Sequence, residues 1–599
     1  MCGIGGYFHT RTETRNLSEA GARLQHYLQR RGPERSHLHT FPKGFLLHTR
    51  LGIIAPDPAA DQPLASADGR YFIVLNGEIL NYAELRSDLQ SQYTFRTQGD
   101  TEVLLAGFIQ QGISFLSAVR GFFAFAIYDS ETEALWLGRD HAGIKPLYYR
   151  IQGAELGFAS EPGGIAALGL ECAADPEALS IYAQTGFLPP NYSGWKNIIP
   201  LPAAAWICWK AGHIVAQGSY SPRTLTIGGF TDGLTQALHR NLIADTPGGI
   251  WLSGGTDSGL LAVSAAKLSE RPLTAFSLTF PQRPKLDESE RVKALCRQIQ
   301  MPLVSCELNV SEWAALSLEW LEHSSDLIAD PALPLLLYLS HCTRAHGIKW
   351  VIAGDGADEV WGGYARHRIW RLLQGLPRLS GAAWLAKQVD TYLPSGRETA
   401  GADRIRKGIR LLKVLSVPSE QRYLQLSVPG SGIAELLHPD LPPPQWPDYS
   451  RNITDWDALQ AADWHWILGG NMLPKTDRAS MFCGVEVRVP YLDEDWVAYA
   501  RSTDSSQRQN KTLLRTHLQA LLPAWRPGPK QGLDAPLSLL NTDVRFRTRW
   551  QELCLHPGAA GHWFKPGALK AALKQSEQQF TENHWQLMVL LSVLQKERR

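Results

Sequence analysis

No two of the eight cysteines stand in a CxxC pair, which removes the usual signals for a zinc site and for a thioredoxin-like centre. A reduced setting fits them best. Neither charge is in excess. The 59 basic and 58 acidic residues leave a formal net charge of +1, so nothing electrostatic argues for nucleic acid or a membrane surface as partner. No run is long and apolar enough to span a bilayer; even residues 331–340 form only a short stretch that reads as a buried helix. The opening Met-Cys-Gly-Ile-Gly-Gly has no basic region followed by an apolar core, so no secretory signal is read and the expected compartment is the cytoplasm. Internal repeats and low-complexity tracts are missing too. Tryptophan, by contrast, is plentiful at 20 residues, as core and interface packing would use it.

A chain of 599 residues is too long for one core, so two large domains or more are expected. The first third reads as β-rich, with short apolar runs at 44–48, 71–75, 121–128 and 134–137 separated by turn residues such as Asp68-Gly69 and Gly143. Helical patterns at 82–89 and 101–110 would cover those sheets. Residues 193–226 hold several prolines and a hairpin pattern at Lys210-Ala211-Gly212, and the expected boundary lies there, giving domains 1–205 and 206–599. Strands then alternate with helices: strand 249–252, helix 258–268, strand 273–280, helix 288–299, strand 303–308, helix 334–345, strand 349–353. Such alternation implies a parallel sheet covered on both faces, with ligands beyond the C-terminal strand ends. After about 365 the chain looks mostly helical.

Cys2 becomes the first residue if the initiator Met is removed. It then carries a thiol and an α-amine with a reference pKa of about 7.7–8.0, suited to take the thiol proton. Alone, Cys2 is as well read as an incidental cysteine. Its company changes that: Arg31-Gly32-Pro33-Glu34, Arg50-Leu51-Gly52-Ile53-Ile54, Asn76-Gly77-Glu78, Gly99-Asp100-Thr101-Glu102 and residues 143–149 follow in order. Together they resemble the class II glutamine amidotransferase domain of asparagine synthetases, over about residues 2–165. The resemblance implies an αββα sandwich of the Ntn-hydrolase type and assigns roles. The Cys2 thiolate attacks the glutamine amide and releases ammonia. The Asn76 side chain and the Gly77 backbone N–H hold the oxyanion. Arg50 pairs with the glutamine α-carboxylate, Asp100 with its α-ammonium, and Ile53 and Glu78 fall at further substrate-contacting positions. Gly52 stands where the family usually has Ser, and Glu34 where it has Asp.

Leu252-Ser253-Gly254-Gly255-Thr256-Asp257-Ser258 sits at a strand-to-helix junction. Its glycines let backbone approach an anion, and the helix start offers free N–H groups. It lacks the Gly-Lys-Ser/Thr of a Walker A loop and resembles the pyrophosphate loop of N-type ATP pyrophosphatases, which release AMP and pyrophosphate. Ala353 to Glu359, the Lys475 to Asp493 segment, Lys511 to Arg515 and Pro529-Lys530-Gln531-Gly532 complete a resemblance to the synthetase domain of asparagine synthetase, over about residues 225–535. It implies a parallel-sheet pyrophosphatase fold with a helical C-terminal part. ATP would be held by Leu252, Ser253, Gly254, Gly255, Asp257, Ser258, Leu278, Ala353 and Gly354, and Mg²⁺ by Asp257 and Asp358. Lys530 would neutralise charge on the phosphates and adenylate, and Asp355 would assist intermediate formation or act as base on ammonia. The charges between 475 and 493 are as well read as structural.

The resulting expectation is a glutamine-dependent ligase of the asparagine-synthetase type, an α/β and α+β protein of two domains. Its substrates are glutamine, ATP and a small carboxylate, most simply L-aspartate, and the expected assembly is a homodimer. The same motifs also serve enzymes that amidate a sugar uronate or a natural-product acid, glutamine-independent relatives such as β-lactam synthetases, and an inactive scaffold. Cys2 with Arg50, Asn76 and Asp100 argues against the glutamine-independent relatives, and retention of both full motif sets argues against the inactive scaffold.

Overall fold

The computed structural model describes residues 2–10, 16–280, 283, 287–392, 400–427, 432–450, 453–526, 533 and 535–597. Two six-stranded antiparallel sheets build the N-terminal part. In one, the order is Ile199–Pro200, Tyr148–Gln152, Glu155–Ala159, Gly3–His9, Gly44–Arg50, Arg35–Phe41. In the other it is His213–Ser219, Ala205–Lys210, Ala134–Arg139, Gly121–Asp129, Tyr71–Ile79, Leu64–Ala65.

Side-chain alternation makes the sandwich. Ile4, Phe8, Leu46, Val74, Ala124 and Ala126 fill the space between the sheets. Ile73, Leu75 and Phe125 point the other way, against the helix Asp100–Gln111 through Val103 and Leu104. On the first sheet, Phe45 and Leu47 face the helix Leu17–Leu28 through Leu24 and Leu28. Both sheets are thus covered, which is why every residue of Gly121–Asp129 is buried and why its apolar run is nearly continuous. The layering is helix, sheet, sheet, helix, as expected. The strands Ala205–Lys210 and His213–Ser219 extend the second sheet through Ala134–Arg139, so a break at 205/206 would split that sheet.

The third sheet is parallel, in the order Leu303–Glu307, Thr274–Thr279, Gly248–Trp251, Trp350–Ile352, Glu486–Arg488. Chain order runs outward one way from Gly248–Trp251 and then reverses beside it at Trp350–Ile352. The loops after these two strands, at 252–258 and 353–358, therefore face each other across the switch point where such sheets bind ligands. Tryptophan is used as packing: Trp313, Trp320, Trp361, Trp466, Trp496, Trp550 and Trp585 are among the largest fully buried side chains. The structure joins Cys306 to Cys342 in a disulfide (Cα–Cα 6.2 Å), tying the edge strand Leu303–Glu307 to the helix Leu333–Ala345. No pair is read from the sequence, where a reduced setting fits the cysteines best; a separation of 36 residues carries no local signal. Among the described residues no helix is long and apolar enough to cross a membrane.

Candidate active sites

Cys2 leads into the strand Gly3–His9 and lies against Asn76 of Tyr71–Ile79 on the facing sheet. Cys2 N donates to Asn76 Oδ1 at 3.2 Å. That bond takes the acceptor end of the amide. The donor end, Nδ2, is buried and has no partner among the described residues. An unsatisfied buried donor costs about 1–3 kcal/mol, and its position next to a thiol is where an oxyanion would need it. Gly77 has φ +133°, and a Cβ there would lie 1.9 Å from Phe122 O, so only glycine fits this strand contact. Burial pushes the Cys2 thiol up, against a hydrogen bond to the Leu51 backbone and the Arg50 charge. The resting group is a thiol and needs a base before it can attack.

Arg50 is buried, and its Nη groups are already engaged. They donate to Asp57 O at 2.8 Å, to Ala55 O and to Asp61. The fork expected for the glutamine α-carboxylate is thus occupied by the chain itself, and a bound carboxylate would have to share it. Asp100 begins the helix Asp100–Gln111 and accepts from Ile79 N at 2.8 Å. Burial raises its carboxyl; the side-chain hydrogen bond with Glu78 opposes this. Burial also raises Glu78 well above the usual range, helped by the charges of Asp100 and Glu486. Ile53 is buried in the loop that touches the second domain, where Asp245 N donates to its carbonyl at 3.0 Å. The two departures from the family pattern meet: Glu34 Oε2 accepts from Gly52 N at 3.0 Å, while its Oε1 lies 2.5 Å from Lys349 of the second domain.

A buried ionic chain joins this site to the synthetase half. Arg31 Nε donates to Cys2 O at 3.3 Å. The same guanidinium binds Asp477 through both Nη groups, at 2.8 and 3.1 Å, and Glu161 at 2.8 Å. Asp477 also accepts from Arg478 at 2.8 Å, and Arg478 reaches Asp326 at 2.8 Å and Tyr148 Oη at 3.1 Å. Burial raises the Asp477 carboxyl, but Arg31, Arg478 and Lys145 outweigh it and bring it to about 2. Glu486 behaves alike. Arg488, 2.6 Å away, and Lys145 help hold it at about 2 despite burial. Sequence reasoning left these charges as structural and named no partner for them. Arg31 and Asp477 are 446 residues apart, and no local pattern links them.

In the second site Gly254 has φ +70° and Gly255 caps the helix Thr256–Leu268. Ser258 Oγ folds back to Ser253 N at 3.3 Å and Ser253 Oγ at 3.2 Å. Gly354 brings the two loops together: a Cβ there would sit 3.2 Å from Asp257 Cβ. Leu252, Leu278 and Ala353 are buried, with Leu252 N bonded to Phe276 O at 2.9 Å and Ala353 N to Arg488 O at 2.9 Å. Asp257 and Asp358 converge, and Lys511 Nζ lies between them, 2.6 Å from Asp358 and in contact with Asp257. Burial disfavours the Lys511 ammonium, but the two carboxylates raise its pKa. Asp355 is half-buried near this pair, Thr476 Oγ1 lies 3.4 Å from its Oδ1, and desolvation raises its carboxyl against the Lys475 charge. Lys530 lies outside the described residues.

Two carboxylates around one cation suit a hard divalent ion that is otherwise held by substrate phosphates. Among the described residues no cluster of three or more His, Cys, Asp or Glu could hold a metal unaided. Lys511 is the functional residue that sequence reasoning left without a role. Its signal was present in the Lys511 to Arg515 motif, but only the fold brings it between Asp257 and Asp358.

A thiol beside a buried amide donor on one sandwich, tied by buried charges to a glycine loop and paired carboxylates on a parallel sheet, defines an ATP-dependent glutamine amidotransferase. The chain belongs to the asparagine synthase family: the profile described as asparagine synthase matches residues 229–597, and that described as a glutamine amidotransferase domain matches 1–221. It is an ATP-dependent, glutamine-hydrolysing ligase of this type. Among its relatives, the glutamine-hydrolyzing asparagine synthetase 1 of Bacillus subtilis is 28% identical over 557 residues, covering 87% of this chain and 85% of the relative. Asparagine synthetase B of Escherichia coli is 28% identical over 380 residues, 61% of this chain and 65% of the relative. The amidase chyE of Penicillium rubens is 26% identical over 570 residues, 84% and 83%.

Proposed function

We propose that the chain makes L-asparagine from L-aspartate, with glutamine as nitrogen donor and ATP cleaved to AMP and pyrophosphate. The observation that carries the reading is the pairing of an unspent Asn76 Nδ2 beside Cys2 with Asp257 and Asp358 gathered at the sheet's switch point. In the first half the amine of Cys2, freed by loss of Met1, takes the thiol proton. The sulfur adds to the glutamine carbonyl, Asn76 Nδ2 and the Gly77 N–H hold the oxyanion, ammonia leaves, and water releases glutamate from the thioester. Glu78 and Asp100 receive the glutamine ammonium.

In the second half the 252–258 loop holds the phosphates. Asp257 and Asp358 would hold Mg²⁺, which neutralises phosphate oxygens. The aspartate β-carboxylate oxygen attacks the α-phosphorus and pyrophosphate leaves. Ammonia then displaces AMP, with Asp355 positioned to take its proton. Lys530 belongs to this reading as a cation that would neutralise charge on the phosphates and adenylate. The domain boundary we adopt falls between Ser219 and Phe230, after the last strand of the second sheet and before the first helix of the next domain. A homodimer belongs to the same proposal, and light scattering would check it.

A second reading keeps the mechanism and changes the acceptor to another carboxylate. It is favoured by the likeness to chyE, named an amidase, over nearly the same share of the chain as the Bacillus synthetase. The test is glutamine-dependent amide formation and pyrophosphate release with L-aspartate beside uronates and natural-product acids. Asparagine formation with Cys2→Ala restricted to ammonium salts supports the first reading; turnover of another acid with none of aspartate replaces it by the second.

A further inference from the structure

The segment that carries Arg50 and Ile53 is bonded by both domains. Three of its backbone groups meet the synthetase half. Lys349 Nζ donates to Gly52 O at 3.3 Å. Asp245 N donates to Ile53 O at 3.0 Å, and Asp245 Oδ2 accepts from Ala55 N at 2.7 Å. Lys349 is itself fixed, 2.5 Å from Glu34 Oε1, and the other oxygen of Glu34 accepts from Gly52 N at 3.0 Å. Gly52 is thus held at its N–H by Glu34 and at its carbonyl by Lys349. Burial raises the Glu34 carboxyl, but Lys349 and the Gly52 N–H outweigh it and hold it below its ordinary value, so this grip keeps its charge across the neutral range.

The two anchors occupy matching places in the parallel sheet. Asp245 comes just before the strand Gly248–Trp251, and Lys349 just before its neighbour Trp350–Ile352. The C-terminal ends of the same two strands carry the loops 252–258 and 353–358. Both strands are buried along their whole length, and strands this short span only about 10–13 Å. A short, paired, buried strand is a stiff support, so the segment is anchored on a firm part of the second domain. Ala55 shows what the anchor has to hold. Its φ of 45° is left-handed, a costly conformation for a residue with a Cβ. Its carbonyl accepts from Arg50, and its N–H donates to Asp245. The strained turn that pairs Arg50 is therefore clamped by a side chain of the other domain.

We propose that Asp245 and Lys349 are positioning residues for glutamine binding, through which the synthetase domain completes the glutamine loop. The proposal rests on the reading of Arg50 and Ile53 as glutamine-binding residues. Loss of either anchor removes no group assigned to glutamine or to the thiol chemistry. It leaves the loop to be ordered when glutamine binds, and that cost falls on affinity before turnover.

The test uses the full-length protein and its Lys349→Met, Lys349→Arg, Asp245→Ala and Cys2→Ala variants. Glutamate formation is followed over a range of glutamine concentrations, calorimetry measures binding of ATP with Mg²⁺, and urea unfolding checks the fold. Lys349 and Asp245 are not fully buried, and Glu34 keeps the Gly52 N–H and Arg344 when Lys349 is lost, so both variants should fold. KM for glutamine should rise about tenfold or more in Lys349→Met and in Asp245→Ala, as loss of a charge-assisted hydrogen bond does. kcat should change less than KM, ATP binding should be kept, and Lys349→Arg should recover most of the glutamine affinity. An unchanged KM in both variants overturns the proposal. So does a matching loss of glutamine turnover and ATP binding, which marks the contacts as general supports of the interface. If the unaltered protein forms no glutamate that depends on Cys2, the glutaminase reading itself falls and the proposal falls with it.

Discussion

Replacing Asp477 by Asn tests whether the buried charges between the domains serve the glutaminase or merely fill the interface. Asn preserves the size and one acceptor but removes the charge that Arg31 meets at 2.8 and 3.1 Å. The carboxyl falls from an ordinary 3.8 to about 2 in the fold. At about 1.4 kcal/mol per tenfold this corresponds to roughly 2.5 kcal/mol favouring the charged form. The cost of Asp477→Asn should be at least of this size, about 3 kcal/mol, because two buried guanidiniums each lose one of their two carboxylate partners. Arg31 is the more exposed to this loss, since its remaining partners are Glu161 and the Cys2 carbonyl.

The consequence should fall unequally. Arg31 fixes the carbonyl of the residue that carries the thiol, so glutamine hydrolysis should drop by about tenfold or more. Pyrophosphate release supported by ammonium salts should persist, because Asp257, Asp358 and Lys511 do not contact Asp477. The assay measures glutamate from glutamine and pyrophosphate from acceptor plus ammonium, together with urea unfolding. Acid unfolding adds a sign: a depressed carboxyl gives stability that is present above about 3.8 and lost as pH falls through about 2, and Asp477→Asn should remove that slope. Unchanged glutaminase turnover with an unchanged urea midpoint would refute the reasoning. Equal loss of both activities would show that the charges support the fold at large and do not position Cys2.

Three shorter predictions follow from other contacts. Gly77→Ala adds a Cβ 1.9 Å from Phe122 O at φ +133°; glutaminase turnover should be lost while ammonium-dependent synthesis continues, and a variant with normal glutamine KM and kcat rejects the close-contact argument. Lys511→Met removes the ammonium between Asp257 and Asp358. Two carboxylates gathered around one cation then repel by about 3 kcal/mol or more, AMP formation should fall about a hundredfold, and retention of the native rate would show that Lys511 is dispensable. Burial raises both Glu78 and Asp100, so the pair holds a proton that an incoming ammonium must displace. kcat/KM for glutamine should therefore climb with pH above the ordinary carboxylate range of about 4, and Glu78→Gln should move the climb to lower pH; an identical profile in the variant rejects the shared proton.

Local pattern carried most of the fold. The runs at 44–48, 71–75 and 121–128 lie within observed strands because apolar residues two apart must share a face, and both faces here are covered. The glycine loop was readable because Gly254 and the helix start at Thr256 are set within a few residues. What local pattern could not carry was anything made by distant residues meeting. Glu486–Arg488 lies in a region read as helical, but it forms the last strand of the parallel sheet, paired to Trp350–Ile352. Three residues give too short a run for periodicity, and two of them are charged. Those charges satisfy each other at 2.6 Å inside the protein, a pairing that hydrophobic patterning cannot see. Arg50 is a different case. Its residue type was legible as a carboxylate binder, but the carboxylate it binds in this structure is Asp61.

The internal pairing of Arg50 bears on how the first site is kept quiet without glutamine. A buried guanidinium cannot wait unpaired for a substrate, because an isolated charge in a low dielectric is costly. Asp61, with the carbonyls of Ala55 and Asp57, supplies that pairing. Burial raises the Asp61 carboxyl, but Arg50 and Arg35 together hold it below its ordinary value, so the pair persists across the neutral range. Lys511 plays the equivalent part in the second site, standing between two carboxylates that would otherwise repel. Each candidate site is thus built from charges already compensated by the chain. The 55–61 loop that supplies these partners to Arg50 also reaches across the domains, where Ala55 N donates to Asp245 of the synthetase domain at 2.7 Å. The loop that compensates Arg50 is thus tied directly to the second domain.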